Sequence, residues 1–178
     1  MKRKKSILTK PFGHVNIGSK HYVVEVAMDD QSRHKGLSKR HNLDEGLGML
    51  FDMPKEDVHS FQMKETYIPL DMVFIGKYGQ IVDYIPNVQP LTAGPYSPKE
   101  KCKFVLEVRG NDLKDEIKEK TLAKMRFFDT IEKAQAYRDK RMLQEQLIHY
   151  LNEAVNGEGI RRKQDSSRKS SKRSGKTL

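Results

Sequence analysis

Cysteine is nearly absent from this sequence. Cys102 is the single cysteine among 178 residues, so the chain can form no internal disulfide and offers no thiolate pair for a structural zinc site. The six histidines are scattered along the chain without the spacing of metal ligands. We therefore expect no metal and no other cofactor, and we expect Cys102 to be a packing residue of a strand.

Apolar runs are also short. No stretch reaches the roughly 18 apolar residues that indicate a membrane-spanning helix. The basic opening MKRKKSILTKPFG is not followed by the ~7–15 apolar residues of a signal peptide. These absences predict a cytoplasmic protein, in the host cytoplasm if the protein is viral, with no membrane span.

The common catalytic motifs are missing too. The sequence contains no GxxxxGKS/T, GxGxxG, HExxH or GxSxG. Each of these motifs places the groups for one chemistry at a fixed spacing: phosphate binding, dinucleotide binding, zinc-dependent proteolysis or serine-dependent hydrolysis. Their absence predicts a protein that is not an enzyme.

The positive charge is confined to the two ends of the chain. The net charge is +10; residues 1–5 carry four basic groups and no acidic one, and residues 157–178 carry eight basic and two acidic. Residues 6–156 therefore have no net charge. We expect a basic arm over 1–13 and a disordered basic tail over 157–178, because a serine-rich segment with so few apolar residues cannot offset the entropy of ordering. The tail predicts contact with nucleic acid or another anionic partner through Arg161, Arg162, Lys163, Arg168, Lys169, Lys172, Arg173 and Lys176.

Alternating apolar residues dominate residues 14–128. The pattern predicts about eight short strands and one short helix, which is typical of a compact β-sandwich or a partly closed barrel. The short helix is predicted within DDQSRHKGLSKR, capped by Asp29 or Asp30 and ended by Gly36. A strand over GMLFDM is expected to stop at Pro54, and another is expected in HSFQMKE.

A helical period replaces the alternation from Asp129 onward. Residues 129–156 lack proline, and Asp129 with Glu132 fits an acidic capping box, while Gly157 is expected to end the helix. One interpretation packs this helical extension on its own sheet. The other makes it a surface for a protein partner or for self-association, because Lys140 interrupts the apolar stripe and leaves it narrow.

Two charged residues stand out within FQMKETYIPLDMVFIG. The alternation places Asp71 on the same strand face as the apolar Val73, so its carboxylate should be buried and paired. The candidate partners are Arg33, Arg40, Lys64 and backbone N–H groups. Asp71 is either the centre of a structural network or part of a polar pocket floor near Lys64, Thr66 and Arg40.

The motifs GMLF (48–51), MKET (63–66) and IPLD (68–71) stand in or near this region. With these motifs the chain resembles the family known as domain of unknown function 192. The resemblance covers roughly residues 14–128 and implies a compact β-rich fold without an established activity. Departures from the family pattern are Ser38, Gln62 in place of a tryptophan, and Glu65; the lost ring removes a stacking surface for a ligand. The matching positions are Arg33, Gly36, Leu37, Arg40, Gly48, Met49, Leu50, Phe51, Met63, Lys64, Thr66, Ile68, Pro69, Leu70, Asp71, Leu106 and Glu107.

Six of the matching residues are ionisable or polar groups that could act together. They form the candidate polar pocket or structural ion-pair network: Arg33, Arg40, Lys64, Thr66, Asp71 and Glu107. The resemblance also extends to tailed phages, where a related small protein is linked to head-vertex assembly.

Three functions follow from these observations. The first is a non-enzymatic accessory protein whose domain and helix bind a protein partner, with a phage head-vertex assembly chaperone as its specific form. The second is a sequence-nonspecific nucleic-acid-binding protein that uses its basic tails. The third is a small-molecule-binding domain, or a weak enzyme, with a pocket near Lys64 and Asp71.

Deletion of residues 157–178 tests the role of the tail. The deletion removes a net +6 of the +10 total, so nonspecific DNA affinity should fall, as should its salt dependence. Each phosphate contacted contributes about −0.9 to the slope of log affinity against log salt. Fluorescence titrations of labelled duplex at several salt concentrations measure both quantities; an unchanged affinity and slope would exclude the tail as the contact.

Overall fold

The structure is a computed structural model that describes the backbone of residues 11–118 and 121–173 and, within these ranges, the side chains up to residue 153. The described chain forms seven strands and two helices. Their bounds are β1 Phe12–Ile17, β2 Lys20–Ala27, α1 Asp30–Lys35, β3 Leu47–Asp57, β4 Leu70–Ile75, β5 Ile81–Val88, β6 Cys102–Arg109, β7 Ala123–Phe128 and α2 Ile131–Arg173.

The strands form one mixed sheet in the order β5-β4-β6-β3-β2-β1-β7. All neighbouring strands are antiparallel except β2 and β3, which run parallel. The sheet does not close, although an isolated bridge between Gln80 and Leu122 joins the segments that precede the two outer strands. Beside that bridge, the Ala123 N–H donates to the Gly79 carbonyl at 2.8 Å. The predicted mainly β fold with one short and one long helix is confirmed.

Two local predictions about strands were wrong. The segment HSFQMKE forms a loop whose β-like contact is the isolated bridge between Phe61 and Tyr96. Pro54 lies inside β3 instead of ending a strand. The pairing of β3 with β6 shifts its register between Asp52 and Asp57, so the missing N–H of Pro54 interrupts no regular ladder there.

The sheet is covered by apolar residues on both of its faces. We call these the Met72 face and the Val73 face, after successive residues of β4 that are both fully buried. Apolar burial on both faces is what the continuous apolar sequence of β4 predicted. The Met72 face includes Leu70, Met72, Phe74, Phe51 and Val105, and the Val73 face includes Val73, Ile75, Leu106, Val108 and Tyr22.

Helix α1 begins and ends as its sequence predicted. The Asp29 carboxylate accepts the Ser32 N–H at 2.7 Å, and the Ser32 hydroxyl returns a bond to Asp29, completing a capping box. Gly36 follows the helix with a φ of 47°, a left-handed conformation that glycine adopts with little strain. These caps set where α1 begins and where it ends.

Helix α2 begins at Ile131 and continues past the expected end at Gly157. Glycine in a helix interior costs about 1 kcal/mol relative to alanine, but it does not prevent the helix, and no proline follows Pro98. The first two turns bury Ala134 and place Tyr137 edge-on to His14 at 5.2 Å between ring centroids. Contacts divide the chain into two units, Met1–Arg138 and Asp139–Leu178.

A buried aspartate connects β5 and the loop after β6 to β4. Asp71 has no solvent exposure and accepts four hydrogen bonds. Its Oδ1 accepts the N–H groups of Asn87 and Asn111, each at 2.8 Å. Its Oδ2 accepts the Leu113 N–H and the Tyr84 hydroxyl, each at 2.9 Å. Its partners are thus backbone N–H groups and one phenol, and they satisfy the carboxylate without a cation.

Substitution of Asp71 tests this structural role. We expect Asp71→Ala to lower the free energy of unfolding by about 3 kcal/mol, because it leaves three buried N–H donors without acceptors. Asp71→Asn should cost less, since its amide oxygen still accepts two of the three. Urea unfolding followed by circular dichroism measures both losses. Small and equal losses for the two variants would contradict the assignment.

Candidate functional site

A cavity of about 690 Å³ opens beside α1 on the Met72 face. Cavities of roughly 300–1,000 Å³ are typical of small-molecule sites. Three segments and one strand residue surround it: α1 with the turn after it, β3, the loop over 59–66, and Glu107 of β6. The lining residues are Asp30, Arg33, His34, Lys35, Gly36, Leu37, Ser38, Phe51, Met53, Pro54, His59, Ser60, Phe61, Gln62, Lys64, Glu65, Thr66 and Glu107.

Arg33 fixes α1 against β3 along one side of the cavity. Its Nη1 donates to the carbonyl oxygens of Met28 at 2.7 Å and Asp52 at 2.8 Å. Its Nη2 donates to the Asp30 carboxylate at 2.7 Å. A guanidinium with these three partners retains little capacity for a ligand, so Arg33 acts mainly as a support.

The loop over 59–66 forms the opposite wall. Phe61 exchanges backbone hydrogen bonds with Tyr96, and the Met63 N–H donates to the Thr92 carbonyl at 3.0 Å. The Phe61 ring meets Phe51 edge-on at 5.2 Å and Phe74 at 6.1 Å between centroids. Buried Met63 and these ring contacts hold an aromatic wall in place without a regular strand.

Glu107 is the buried acid of the cavity. It lies on β6, in register with Met49 of β3 and Met72 of β4, and its exposed fraction is 5%. Glu107 makes no hydrogen bond or ion pair with any residue that the structure describes. Burial raises the pKa of its carboxyl to about 8, because a charged carboxylate loses its hydration there. The carboxyl is therefore mostly protonated at neutral pH.

The β-rich domain matches a known protein family. The model of domain of unknown function 192, described as "Uncharacterized ACR", matches residues 13–120. The chain belongs to this family. A comparison with curated proteins found no match.

Two solved structures share the fold of the family domain. One is a "putative transcription regulator" from Sinorhizobium meliloti 1021, with a TM-score of 0.62 and 26% identity over 67% of this chain and 98% of that one. The other is a protein of unknown function from Novosphingobium aromaticivorans DSM 12444, with a TM-score of 0.58 and 27% identity over 68% of this chain and 89% of that one. The family match ends before α2, so the long helix lies beyond it.

The family domain brings four of the six sequence-predicted site residues together. Arg33, Lys64, Thr66 and Glu107 line the cavity. Arg40 does not, and it pairs instead with Glu25 at 2.7 Å. Asp71 alternates with Met72 along β4 and lies on the Val73 face, away from the cavity. Thr66 is buried and Lys64 is exposed.

Several cavity residues were not anticipated from the sequence. His34, Lys35 and His59 come from α1 and the 59–66 loop, and only the approach of these segments makes them neighbours. A contact between the two walls is visible at Ser38, whose hydroxyl donates to the Glu65 carboxylate at 3.1 Å. No local sequence signal predicts such a contact, because it joins residues far apart in the chain.

The side chains of the predicted anion-contact residues are not among those that the structure describes. The side chains of Arg161, Arg162, Lys163, Arg168, Lys169, Lys172 and Arg173 fall beyond the described side chains, and Lys176 falls outside the described residues. Polyanion binding by the tail therefore stays a prediction. In the described ranges, no group of three or more His, Cys, Asp or Glu could hold a metal ion. No helix within the same residues is long and apolar enough to cross a membrane.

The raised pKa of Glu107 predicts how stability depends on pH. Below the usual carboxyl pKa of 4.5, the folded and unfolded chains both hold this proton. The contribution of Glu107 to the free energy of unfolding is then at its most favourable value. As the pH rises toward 8, the unfolded chain ionises first, so the free energy of unfolding should fall by roughly 1.4 kcal/mol per pH unit. Glu107→Gln should remove this component. Urea unfolding at pH 5, 6.5 and 8 measures it.

Glu100→Gln provides a control for this experiment, because Glu100 is exposed and does not line the cavity. The control should keep the pH dependence of the unchanged chain. If Glu107→Gln also keeps it, the carboxyl of Glu107 is not titrating above its ordinary range, and the description of the cavity is wrong.

Proposed function

We propose that the family domain binds a small molecule in the cavity, with Glu107 as the polar anchor. The observation that carries the proposal is a carboxyl that is 5% exposed, lines a 690 Å³ cavity and lacks a partner among the described residues. No described side chain has a fully buried polar atom without a hydrogen-bond partner, so the Glu107 oxygens open onto the cavity and can be reached from it. A ligand that carries a hydrogen-bond donor or a cation can therefore pair with this carboxyl.

The one cysteine of the chain supplies no thiol to the cavity, because Cys102 is not among the lining residues. Cys102 belongs to the apolar cluster of the Met72 face, and burial raises the pKa of its thiol to about 11. A thiol with this pKa is protonated at neutral pH and is a poor nucleophile. Thiol chemistry is therefore not part of the proposal, which is the binding of a small molecule.

Positions that depart from the family pattern add support for this proposal. Ser38, Gln62 and Glu65 differ from the residues that the family resemblance implies, and all three line the cavity. Changes concentrated around a cavity are what a change of ligand would require, since the sheet beneath it is retained. The loss of the family tryptophan at Gln62 fits a ligand without an aromatic ring.

A fragment screen by ligand-observed NMR tests the binding function. We expect fragments to bind the unchanged chain and Glu100→Gln equally, and to lose at least tenfold in affinity with Glu107→Gln, equivalent to about 1.4 kcal/mol. A large change is expected because the anchor is desolvated. Binding that is insensitive to Glu107→Gln would place the site elsewhere. No binding from a broad screen would overturn the proposal.

A second candidate function is protein binding through α2. The described part of the helix exposes six large apolar side chains within ten residues: Met142, Leu143, Leu147, Ile148, Tyr150 and Leu151. Concentrated exposed apolar groups favour a contact with another protein. This is the accessory-protein function that the sequence suggested for the helical extension.

Paired substitutions on α2 test the second candidate. Leu143→Gln with Leu147→Gln should keep the helix, because glutamine is a good helix former, while removing two apolar contacts. A specific partner in a pull-down should lose at least tenfold in affinity, and the polar control Gln146→Ala should retain it. Equal recovery of the partner by both variants would exclude this surface.

The more specific functions stay predictions. Nucleic-acid binding through the tail is consistent with the words "putative transcription regulator" for the Sinorhizobium meliloti relative. A role as phage head-vertex assembly chaperone rests on the family resemblance, and the two solved relatives carry no such description.

A further inference from the structure

The ionisable groups around the cavity differ in whether they already have partners. Arg33 is held by Asp30 and two carbonyls. Glu65 accepts from Ser38 and lies 3.8 Å from the Lys39 ammonium. His59 contacts the Lys55 carbonyl at 3.0 Å. These pairs are satisfied within the protein and contribute little free charge.

Lys64 and Glu107 differ from these pairs. Within the described residues, neither side chain has a hydrogen bond or an ion pair. Glu107 is buried and Lys64 is exposed, so the cavity presents an acid at its buried end and an ammonium at its rim. A ligand of complementary charge would therefore have its cationic group deep in the cavity and its anionic group near the surface.

The apolar wall suits the middle of such a ligand. Leu37, Phe51, Met53 and Phe61 line the cavity and carry no charge. Phe51 and Phe61 also present π-systems, which attract an organic ammonium. A cavity lined by a buried carboxyl and by aromatic rings is therefore better matched to an amine than to a metal ion, which would require several oxygen ligands.

We propose that the cavity takes a small aliphatic zwitterion of the amino-acid type, with its ammonium against Glu107 and its carboxylate toward Lys64. This inference rests on the proposed binding function and adds the chemical class of the ligand. The charges of Glu107 and Lys64 and their different depths carry it. Lys35, which is exposed, lines the cavity and has no hydrogen bond or ion pair within the described residues, adds a second cation at the rim.

The proton balance makes binding pH-dependent. The empty cavity holds Glu107 mostly as a neutral acid at neutral pH, and an ammonium ligand binds its ionised form, so the Glu107 proton is released to solvent while the ligand keeps its own. Affinity should then rise about tenfold per pH unit up to pH 8 and level off above it. The other ionisable groups that line the cavity are Asp30, Arg33, His34, Lys35, His59, Lys64 and Glu65.

Three probes of equal chain length separate the end groups: 6-aminohexanoate, hexylamine and hexanoate. Calorimetric titration of the full chain should show binding of 6-aminohexanoate and hexylamine and no binding of hexanoate.

Glu107→Gln should weaken the binding of hexylamine at least tenfold, as loss of a desolvated charge does. Lys64→Met should weaken 6-aminohexanoate by about threefold, the effect of an exposed ion pair, and leave hexylamine unchanged. Lys101→Met, at an exposed lysine outside the cavity, should change neither.

Opposite results would overturn the ligand class. Hexanoate binding that depends on Glu107 would show that the cavity takes an anion, and it would leave the binding function standing. If no probe binds while the fragment screen finds a ligand sensitive to Glu107→Gln, the zwitterion is wrong and the binding function is retained. Hexylamine affinity that does not change between pH 6 and 8 would exclude proton release from Glu107.

Discussion

The four hydrogen bonds to Asp71 are the constraint on which the sheet depends. Three backbone N–H groups from residues 87, 111 and 113 converge on one carboxylate near the start of β4. They attach the end of β5 and the segment that follows β6 to β4, the strand between them. Because the carboxylate is buried, breaking one bond leaves a donor without water, so the three segments are held as one unit.

Strands β4 and β6 also hold the carboxyl that lines the cavity, which belongs to Glu107. The different surroundings of Asp71 and Glu107 explain their different roles. Asp71 of β4 pairs with Val108 of β6, and the next residue of β4, Met72, pairs with Glu107. The pleat therefore directs the two acids to opposite faces of the sheet. Four donors surround one acid, whereas the described residues supply none to the other. Environment alone makes the first a structural residue and leaves the second available to a ligand.

Local chemistry made part of this architecture predictable. The Asp29 cap of α1 and the double-faced burial of β4 follow from residue spacing, as does the mainly β fold. The sequence could not distinguish the loop over 59–66 from a strand, because apolar and polar residues alternate there as they do in a strand. The segment is a loop because no neighbouring strand pairs with it along its length. Likewise, the partners of Asp71 are backbone groups, which leave no side-chain signal. The cavity was the hardest to anticipate, since it depends on how α1 and a loop approach Glu107.

The attachment of α1 through Arg33 has an evolutionary consequence. The guanidinium bonds mainly to backbone carbonyls, which are present whatever side chains occupy positions 28 and 52. The width of the cavity is thus determined by main-chain geometry, while residues such as Ser38, Gln62 and Glu65 determine its chemistry. For the proposed ligand site, exchange of rim residues would therefore change which ligand is recognised without refolding of the scaffold, and descendants of one ancestor could retain the cavity and recognise unrelated ligands.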